Sequence, residues 1–283
     1  MDAGENAFRL AGVMGWPIGH SRSPLIHNHW LREHGLEGTY VPLAVGPERL
    51  ERALRALPAL GFSGVNLTVP LKTHAMRIVD RLDEAAAAIG AVNTVVVASN
   101  GQIEGRNTDA FGFIASLSEA QPDIDLARGP AVVLGAGGAA RAIVWGLKEA
   151  GVPDIRVLNR TLARAEALAA DMGEVVTAHP WEEREAALAD AALVAQTTSL
   201  GMTGQEGLDL RLDAAPRDAL VCDIVYAPRR TALLQQAAAR GHPIVEGLGM
   251  LLHQARPAFA AWFGVMPEVS PTLRAVLDES LPS

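Results

Sequence analysis

Asn66, Thr68 and Lys72 are the residues of this sequence that most invite chemistry. They fall in Gly64-Val65-Asn66-Leu67-Thr68-Val69-Pro70-Leu71-Lys72, a polar insertion in an otherwise apolar run. Read as a strand over 64–69, the segment puts Asn66 and Thr68 on one face, because side chains two apart point the same way. Pro70 ends the strand, and Lys72 lies just beyond its carboxyl end, where ligands of open α/β sheets bind. A lysine at a helix start is ordinarily solvated; this one follows two inward polar residues and is a candidate for function. Two further polar interruptions, Gly90-Ala91-Val92-Asn93-Thr94 and Gly105-Arg106-Asn107-Thr108-Asp109, resemble each other at strand ends. Asp109 suits the N-cap of a helix over 110–118 and can serve a ligand at the same time.

In His20-Ser21-Arg22-Ser23-Pro24, Ser23 is expected to be the N-cap and Pro24 the first helical residue. Ser21 then has no capping duty. Two hydroxyls beside a helix N-terminus suit a carboxylate, so anchoring and capping are both open for this pair. His27 and His29, two apart on that helix, point to different faces and cannot share a metal, and no other ligand spacing appears, so no metal is expected. Gly247-Leu248-Gly249-Met250 opens a helix in which Met250 and Gln254 share a face.

Ala131-Val132-Val133-Leu134 runs into Gly135-Ala136-Gly137-Gly138-Ala139-Ala140, a G-x-G-x-x-A directly after a strand and before a helix. Its first glycine permits the tight turn, its second lets the backbone approach a pyrophosphate, and Ala140 keeps the helix against the sheet. An NAD site places a carboxylate ~20 residues on, at the end of the second strand. Here that end reads Asn159-Arg160-Thr161, with Arg164 one turn later. Two arginines suit the 2′-phosphate of NADP; the alternative is that Thr161 caps the next helix and both arginines are solvated.

The elements that must position these residues follow from periodicity. Strands are expected at 10–14, 40–45, 64–69 and 92–98, with helices at 24–33, 47–57 and 71–80 between them. A second series has strands at 131–134, 155–158, 193–197, 220–225 and 243–245, and helices at 138–150, 161–171, 181–189 and 229–240. Alternation of this kind predicts an α/β fold with parallel or mostly parallel sheets. Loop chemistry at Gln121-Pro122-Asp123 and Arg128-Gly129-Pro130 sets a seam near 108–130. Two last helices, 250–263 and 271–280, have no strands after them; the first is expected to return to the N-terminal domain.

Composition bounds the rest. The 283 residues are 49% hydrophobic and 20% charged, enough apolar side chain for two full cores. A net charge of −8 argues against nucleic-acid or polybasic membrane surfaces. The single cysteine, Cys222, sits in an apolar run and reads as a packed thiol of a reducing compartment. The start Met-Asp-Ala-Gly-Glu-Asn lacks the features of a signal peptide and no apolar run is long enough to span a bilayer, so a cytoplasmic protein is expected.

Eight segments, in order from about Gly15 to Gln254, resemble shikimate dehydrogenase, an NADP-linked family of aromatic amino acid biosynthesis. They are Gly15 to Pro24, Asn66 to Lys72, Gly90 to Thr94, Asn107-Thr108-Asp109, Gly135 to Ala140, Asn159-Arg160-Thr161, Asp223-Ile224-Val225-Tyr226-Ala227-Pro228 and Gly247 to Gln254. The resemblance implies that Ser21 and Ser23 hold a substrate carboxylate, that Asn66, Thr68, Asn93, Tyr226 and Gln254 orient the ring and its hydroxyls, and that Lys72 with Asp109 is the catalytic pair. It implies cofactor contacts from Gly135, Ala136, Gly137, Gly138, Ala139, Asn159, Arg160, Thr161 and Arg164, with Ile224 and Gly247 at the nicotinamide and Glu84 a weaker neighbour.

The domains would be a substrate-binding domain at 1–108, an NADP-binding Rossmann domain at 109–248 and C-terminal helices at 249–283 packing back on the first. The reaction would be reversible reduction of 3-dehydroshikimate to shikimate by a monomer or homodimer. The rivals are a quinate/shikimate or aminoshikimate paralogue with relaxed cofactor choice, and a nucleotide-sensing relative without activity. The sequence departs from the family at Gln196-Thr197-Thr198, where Asn-Ala-Thr is common, so different cofactor contacts are expected there.

Overall fold

A strand of seven residues with five successive buried positions, β1 (Arg9–Gly15), is the axis of the first sheet. The computed structural model describes residues 8–19 and 21–281; His20 and the N-terminal Met1 to Asn6 considered above lie outside them. Two units divide the chain, one running up to Thr108 and including Gln254–Ser280, the other spanning Asp109–His253.

In the first unit, β1 is followed by α1 (Ser23–Glu33), β2 (Gly38–Ala44), α2 (Leu50–Ala56), β3 (Phe62–Leu67), β4 (Arg81–Leu82), α3 (Glu84–Ile89), β5 (Thr94–Val97) and β6 (Ile103–Arg106). The sheet order is β2-β1-β3-β5-β6-β4. β1 pairs in parallel with β2 and β3, and β4 with β6, whereas β5 is antiparallel to both β3 and β6. The antiparallel insertion is a hairpin turned at Asn100-Gly101, where Gly101 takes φ +83° and Asn100 Oδ1 accepts from the Gln102 N–H.

The helix expected at 71–80 does not form; only a 3-10 turn, His74–Arg77, is present. The two ends of the segment are tied to other chain: the Lys72 carbonyl accepts from Val92 N, just before β5, and Asp80 N donates to the Ile103 carbonyl at the start of β6. The expected helix at 47–57 is a 3-10 turn, Pro47–Arg49, leading into the shorter α2.

This unit's core gathers Leu50, Leu54, Val65, Leu67, Leu71, Val92 and Val95 under the sheet. Its other face receives the C-terminal half of α8 (Gly247–Phe263) and α9 (Pro271–Ser280). Trp262 Nε1 donates to the Val95 carbonyl at 3.0 Å and Trp30 Nε1 to the Glu268 carbonyl at 2.9 Å. Gly64 makes room for this, since a Cβ there would collide with the Trp262 indole and the Val95 carbonyl. Both tryptophans are fully buried, and truncating such a side chain costs about 3 to 5 kcal/mol.

The second unit opens with α4 (Asp109–Ala120) and continues β7 (Ala131–Leu134), α5 (Gly138–Glu149), β8 (Ile155–Asn159), α6 (Leu162–Met172), β9 (Val176–Pro180), β10 (Leu193–Gln196), β11 (Leu220–Asp223), α7 (Ala232–Ala239) and β12 (Ile244–Val245). All its strands are parallel, in the order β12-β11-β10-β7-β8-β9. This is the doubly wound dinucleotide-binding order, with β7 at the point where the winding reverses. Every residue of β7, β10 and β11 is buried, as a sheet covered on both faces requires.

The helix expected at 181–189 is replaced by two 3-10 turns, Trp181–Glu183 and Ala186–Leu188. The Trp181 carbonyl, which an α-helix would give to residue 185, accepts instead from the backbone N–H and the guanidinium of Arg184. Among the described residues no helix is long and apolar enough to cross a membrane.

Candidate active site

The start of α1 differs from the sequence expectation. The Arg22 carbonyl accepts from both Leu25 N and Ile26 N, so Arg22 is the N-cap and Ser23 is already inside the helix. Pro24 keeps its place in the first turn. Ser23 makes no cap bond; its N–H donates to Ser21 Oγ at 3.3 Å. Capping chemistry therefore falls to Ser21, the serine expected to have no such duty. Both hydroxyls remain at the N-terminus of α1, where the helix dipole favours an anion.

A chain of buried side-chain hydrogen bonds runs across the carboxyl end of β3 and the amino end of the antiparallel β5. The Tyr40 hydroxyl donates to Asn66 Oδ1 at 2.7 Å. Asn66 Nδ2 donates to the Asn93 carbonyl at 3.1 Å and to Thr94 Oγ1 at 3.0 Å. Thr94 donates to Asn93 Oδ1 at 2.9 Å, and Asn93 Nδ2 donates to Thr108 Oγ1 at 3.0 Å, while Thr108 N returns a bond to Asn93 Oδ1. Asn66 and Asn93, proposed from sequence, are thus brought together; Tyr40, Thr94 and Thr108 hold them. Burial pushes the Tyr40 hydroxyl well above its usual pKa, with the Ser23 side chain pulling part of the way back. His27, stacked on the Tyr40 ring with centroids 4.1 Å apart, is pushed down to about 3 by burial, so it is a neutral ring at working pH.

Thr68 follows β3 and its N–H donates to the Met14 carbonyl; its methyl fills the space that a Cβ on Gly15 would need. Lys72 is half-buried in the same unit, anchored through its carbonyl to Val92. Gln254 lies half-buried on α8, and Glu84 is exposed in the first turn of α3, where Asp83 caps the helix by accepting from Ala86 N. In the second unit Asp109 is the buried first residue of α4, and Tyr226 is half-buried beyond β11.

The glycine turn of that unit is built for a phosphate. Gly135 sits at φ +112°, strained for any residue with a Cβ, which would also meet Thr197 Oγ1 at 2.7 Å. Gly137 is the N-cap of α5 and supplies no side-chain cap; Gly138 follows it, and a Cβ on either would point into open space. A cavity of about 270 Å³ adjoins them, lined also by Ala136, Asn159, Arg160, Trp181 and residues 197–200. Asn159 Nδ2 donates to the Thr161 carbonyl, and Thr161 occupies the N-cap of α6 without a side-chain cap bond. Arg160 and Arg164 are exposed and make no ion pair among the described residues. Free N–H groups at a helix start, a glycine cradle and an unspent guanidinium fit an NADP pyrophosphate and 2′-phosphate.

Gln196, where the sequence leaves the family pattern, is fully buried: it accepts from Thr198 N and donates to the Thr198 and Leu200 carbonyls, holding the loop that floors this cavity. Farther along, Ile224 and Gly247 come together, because a Cβ on Gly247 would collide with the Ile224 and Val225 carbonyls.

Sequence reasoning missed Tyr40 and Trp181. Trp181 was available as an aromatic beside a strand end; it lines the cavity with Arg184 over its ring at 5.4 Å.

Comparison with known proteins accounts for these features together. Family models described as Shikimate dehydrogenase substrate binding domain, Shikimate / quinate 5-dehydrogenase and Shikimate 5′-dehydrogenase C-terminal domain match residues 13–95, 117–227 and 247–277. A Shikimate dehydrogenase (NADP(+)) of Paramagnetospirillum magneticum is 58% identical over 94% of this chain and 97% of its own, and one of Rhodospirillum rubrum is 57% identical over 95% and 96%. Among solved structures, the shikimate 5-dehydrogenase of Thermus thermophilus in complex with NADP(H) and shikimate superposes with TM-score 0.85, at 37% identity, covering 96% of this chain and 100% of that one. The quinate dehydrogenase of Corynebacterium glutamicum in complex with NAD gives 0.89 at 31% identity, with the same coverage. With relatives this similar over nearly their whole length, the chain belongs to the shikimate dehydrogenase family.

Proposed function

We propose that this protein catalyses the reversible NADPH-dependent reduction of 3-dehydroshikimate to shikimate, a step of chorismate and aromatic amino acid biosynthesis. The observation that carries the reading is a glycine cradle followed by Arg160 rather than a carboxylate, in a chain of this family whose other unit holds Ser21, Ser23, Asn66 and Asn93 around one helix start and one hydrogen-bonded network. The segment up to Thr108 binds substrate, Asp109–His253 holds the cofactor, and Gln254–Ser280 packs on the former.

The bound cofactor supplies the hydride to the carbonyl carbon. Ser21 and Ser23 receive the substrate carboxylate at the positive end of α1. Asn66, Thr68, Asn93, Tyr226 and Gln254 orient the ring. Lys72 and Asp109 stabilise charge on the carbonyl oxygen and deliver its proton in reduction, accepting it in oxidation. The backbone N–H groups of Gly137 to Ala139 take the pyrophosphate, Arg160 and Arg164 the 2′-phosphate. The runner-up, a quinate-oxidising paralogue with NAD, is disfavoured by Arg160. A buried Cys222 thiol suits a reducing cytoplasm, and a monomer or homodimer suffices for the reaction.

The test is the absorbance of reduced nicotinamide formed from shikimate or quinate with NADP+ or NAD+. Fastest turnover with shikimate and NADP+ supports the reading; no turnover with any pair overturns it.

A further inference from the structure

The donors and acceptors around Asn66 are fully assignable. The Asn93 carbonyl can only accept, so the Asn66 atom facing it is Nδ2, and its second proton goes to Thr94 Oγ1. Both amide protons are therefore spent inside the protein. Oδ1 has two lone pairs, one of which takes the Tyr40 proton at 2.7 Å. What Asn66 can offer a ligand is one lone pair: it accepts from a hydroxyl and has nothing to give a carbonyl or an ether.

Tyr40 is held for this task from three sides. Its backbone, on the outermost strand β2, is clamped by one side chain of α1: Asn28 Oδ1 accepts from Tyr40 N at 3.0 Å, and Asn28 Nδ2 donates to the Tyr40 carbonyl at 2.8 Å. Its ring lies flat on His27, with 5° between the planes, and against Trp262. The His27 nitrogens have no hydrogen-bond partner among the described residues, so this ring packs the tyrosine without competing for its hydroxyl. Asn28 also accepts the constraint of α1 itself, donating to the Pro24 carbonyl at 2.9 Å, in the turn that carries Ser23.

We propose that Tyr40 is a positioning residue which, by donating to Asn66 Oδ1, fixes the amide so that its remaining lone pair selects a hydroxyl of the substrate ring. This rests on the function proposed above. Tyr40 touches no reacting atom; it acts through Asn66 on affinity for the ring.

The experiment is a double-mutant cycle of Tyr40→Phe and Asn66→Ala, read as KM and kcat for shikimate, KM for NADP+, and shikimate affinity by calorimetric titration. Phenylalanine keeps the stack on His27. Tyr40→Phe is expected to weaken shikimate binding about tenfold, with kcat changed less and KM for NADP+ unchanged. In the Asn66→Ala background the same substitution is expected to change shikimate affinity less than about twofold, because its route of action is gone. An undiminished effect there, or equal losses for shikimate and NADP+, overturns the proposal and assigns Tyr40 to packing alone.

Should Tyr40→Phe fail to fold, ring-deoxy analogues of shikimate give a second reading with wild type and Asn66→Ala. One analogue should bind both proteins alike; if every analogue still binds wild type better, the acceptor role is wrong. Wild-type protein that neither binds nor oxidises shikimate would instead refute the proposed function.

Discussion

The Ser21 hydroxyl oxygen accepts a hydrogen bond from the Ser23 N–H at 3.3 Å, at the open end of α1. Ser21→Ala removes this partner of an otherwise unpaired helical N–H and should lower stability by about 0.5 to 1 kcal/mol while weakening shikimate binding. Ser23→Ala removes a hydroxyl that caps nothing and should weaken binding with the smaller change in melting temperature. Calorimetric melting of the two variants checks the order; a larger loss in Ser23→Ala would contradict the geometry.

Cofactor choice should rest on Arg160. The glycine cradle meets the pyrophosphate common to both dinucleotides, whereas Arg160 stands at the end of β8, where only a 2′-phosphate distinguishes them. A charge-assisted contact is worth about 1.5 to 3 kcal/mol. Arg160→Ala is therefore expected to raise KM for NADP+ roughly ten- to a hundredfold and leave that for NAD+ nearly unchanged, as steady-state kinetics with each cofactor will show.

Gly247 has no room for a methyl group. A Cβ there would press on the carbonyl oxygens of Ile224 and Val225, backbone atoms that cannot rotate away. Gly247→Ala should destabilise the fold by about 1 to 3 kcal/mol and raise KM for the nicotinamide cofactor if Ile224 lines its pocket. Thermal melting and cofactor titration measure the two effects separately.

Two buried groups give the stability opposite slopes in acid. His27 stays neutral when folded, its pKa about 3 against 6.5 unfolded, so the unfolded chain binds the extra proton in that window and stability falls as pH drops. Asp223, pushed up to about 6 by burial although Thr231 and Val225 donate to it, holds its proton in the folded state above the unfolded 3.8. Its contribution favours acid and is lost as pH rises through 6. Between pH 4 and 6 the two oppose each other, each with a slope of about 1.4 kcal/mol per pH unit. His27→Phe should make stability fall as pH rises across that range, and Asp223→Asn should make it rise. Urea titrations at three pH values would show the two slopes.

Most of the nucleotide unit was legible because strands such as β7, β10 and β11 are short, largely apolar, fully buried runs, so local pattern and tertiary burial agree, as in Ala131-Val132-Val133-Leu134; β9, Val176-Thr177-Ala178-His179-Pro180, has no such run and was not expected. The β5–β6 hairpin was legible too, in Asn100-Gly101 between two β-rich runs. The segment 71–80 has helical periodicity of its own, and nothing local in it announces that Asp80 is tied to the Ile103 carbonyl of that hairpin. Tyr40 was not legible at all. Its partners Asn28 and Asn66 lie 12 and 26 residues away, and only the sheet order β2-β1-β3 brings it across to Asn66. The start of α1 failed more narrowly, by one residue, with Arg22 rather than Ser23 at the N-cap, the ordinary error of a helix boundary read from pattern.

Lys72 carries the claim that this family member is an active enzyme. Were it only an attractor for an anionic substrate, its loss would raise KM and spare turnover, since uniform binding does not lower the chemical barrier. Its backbone is fixed by the carbonyl bond to Val92, so a substitution at the side chain leaves the segment in place. If it exchanges the proton or stabilises the developing oxyanion, the loss falls on kcat, where such roles are worth about 10² to 10⁴. Lys72→Met keeps much of the chain's length and removes the ammonium; it should cut kcat by at least about a hundredfold and change shikimate affinity by less than about tenfold. Asp109→Asn should also depress kcat, and the double variant should lose less than the product of the two, because residues serving one step are not additive. Near-normal kcat in Lys72→Met, with KM alone raised, would return the lysine to substrate binding and move the proton transfer to another residue.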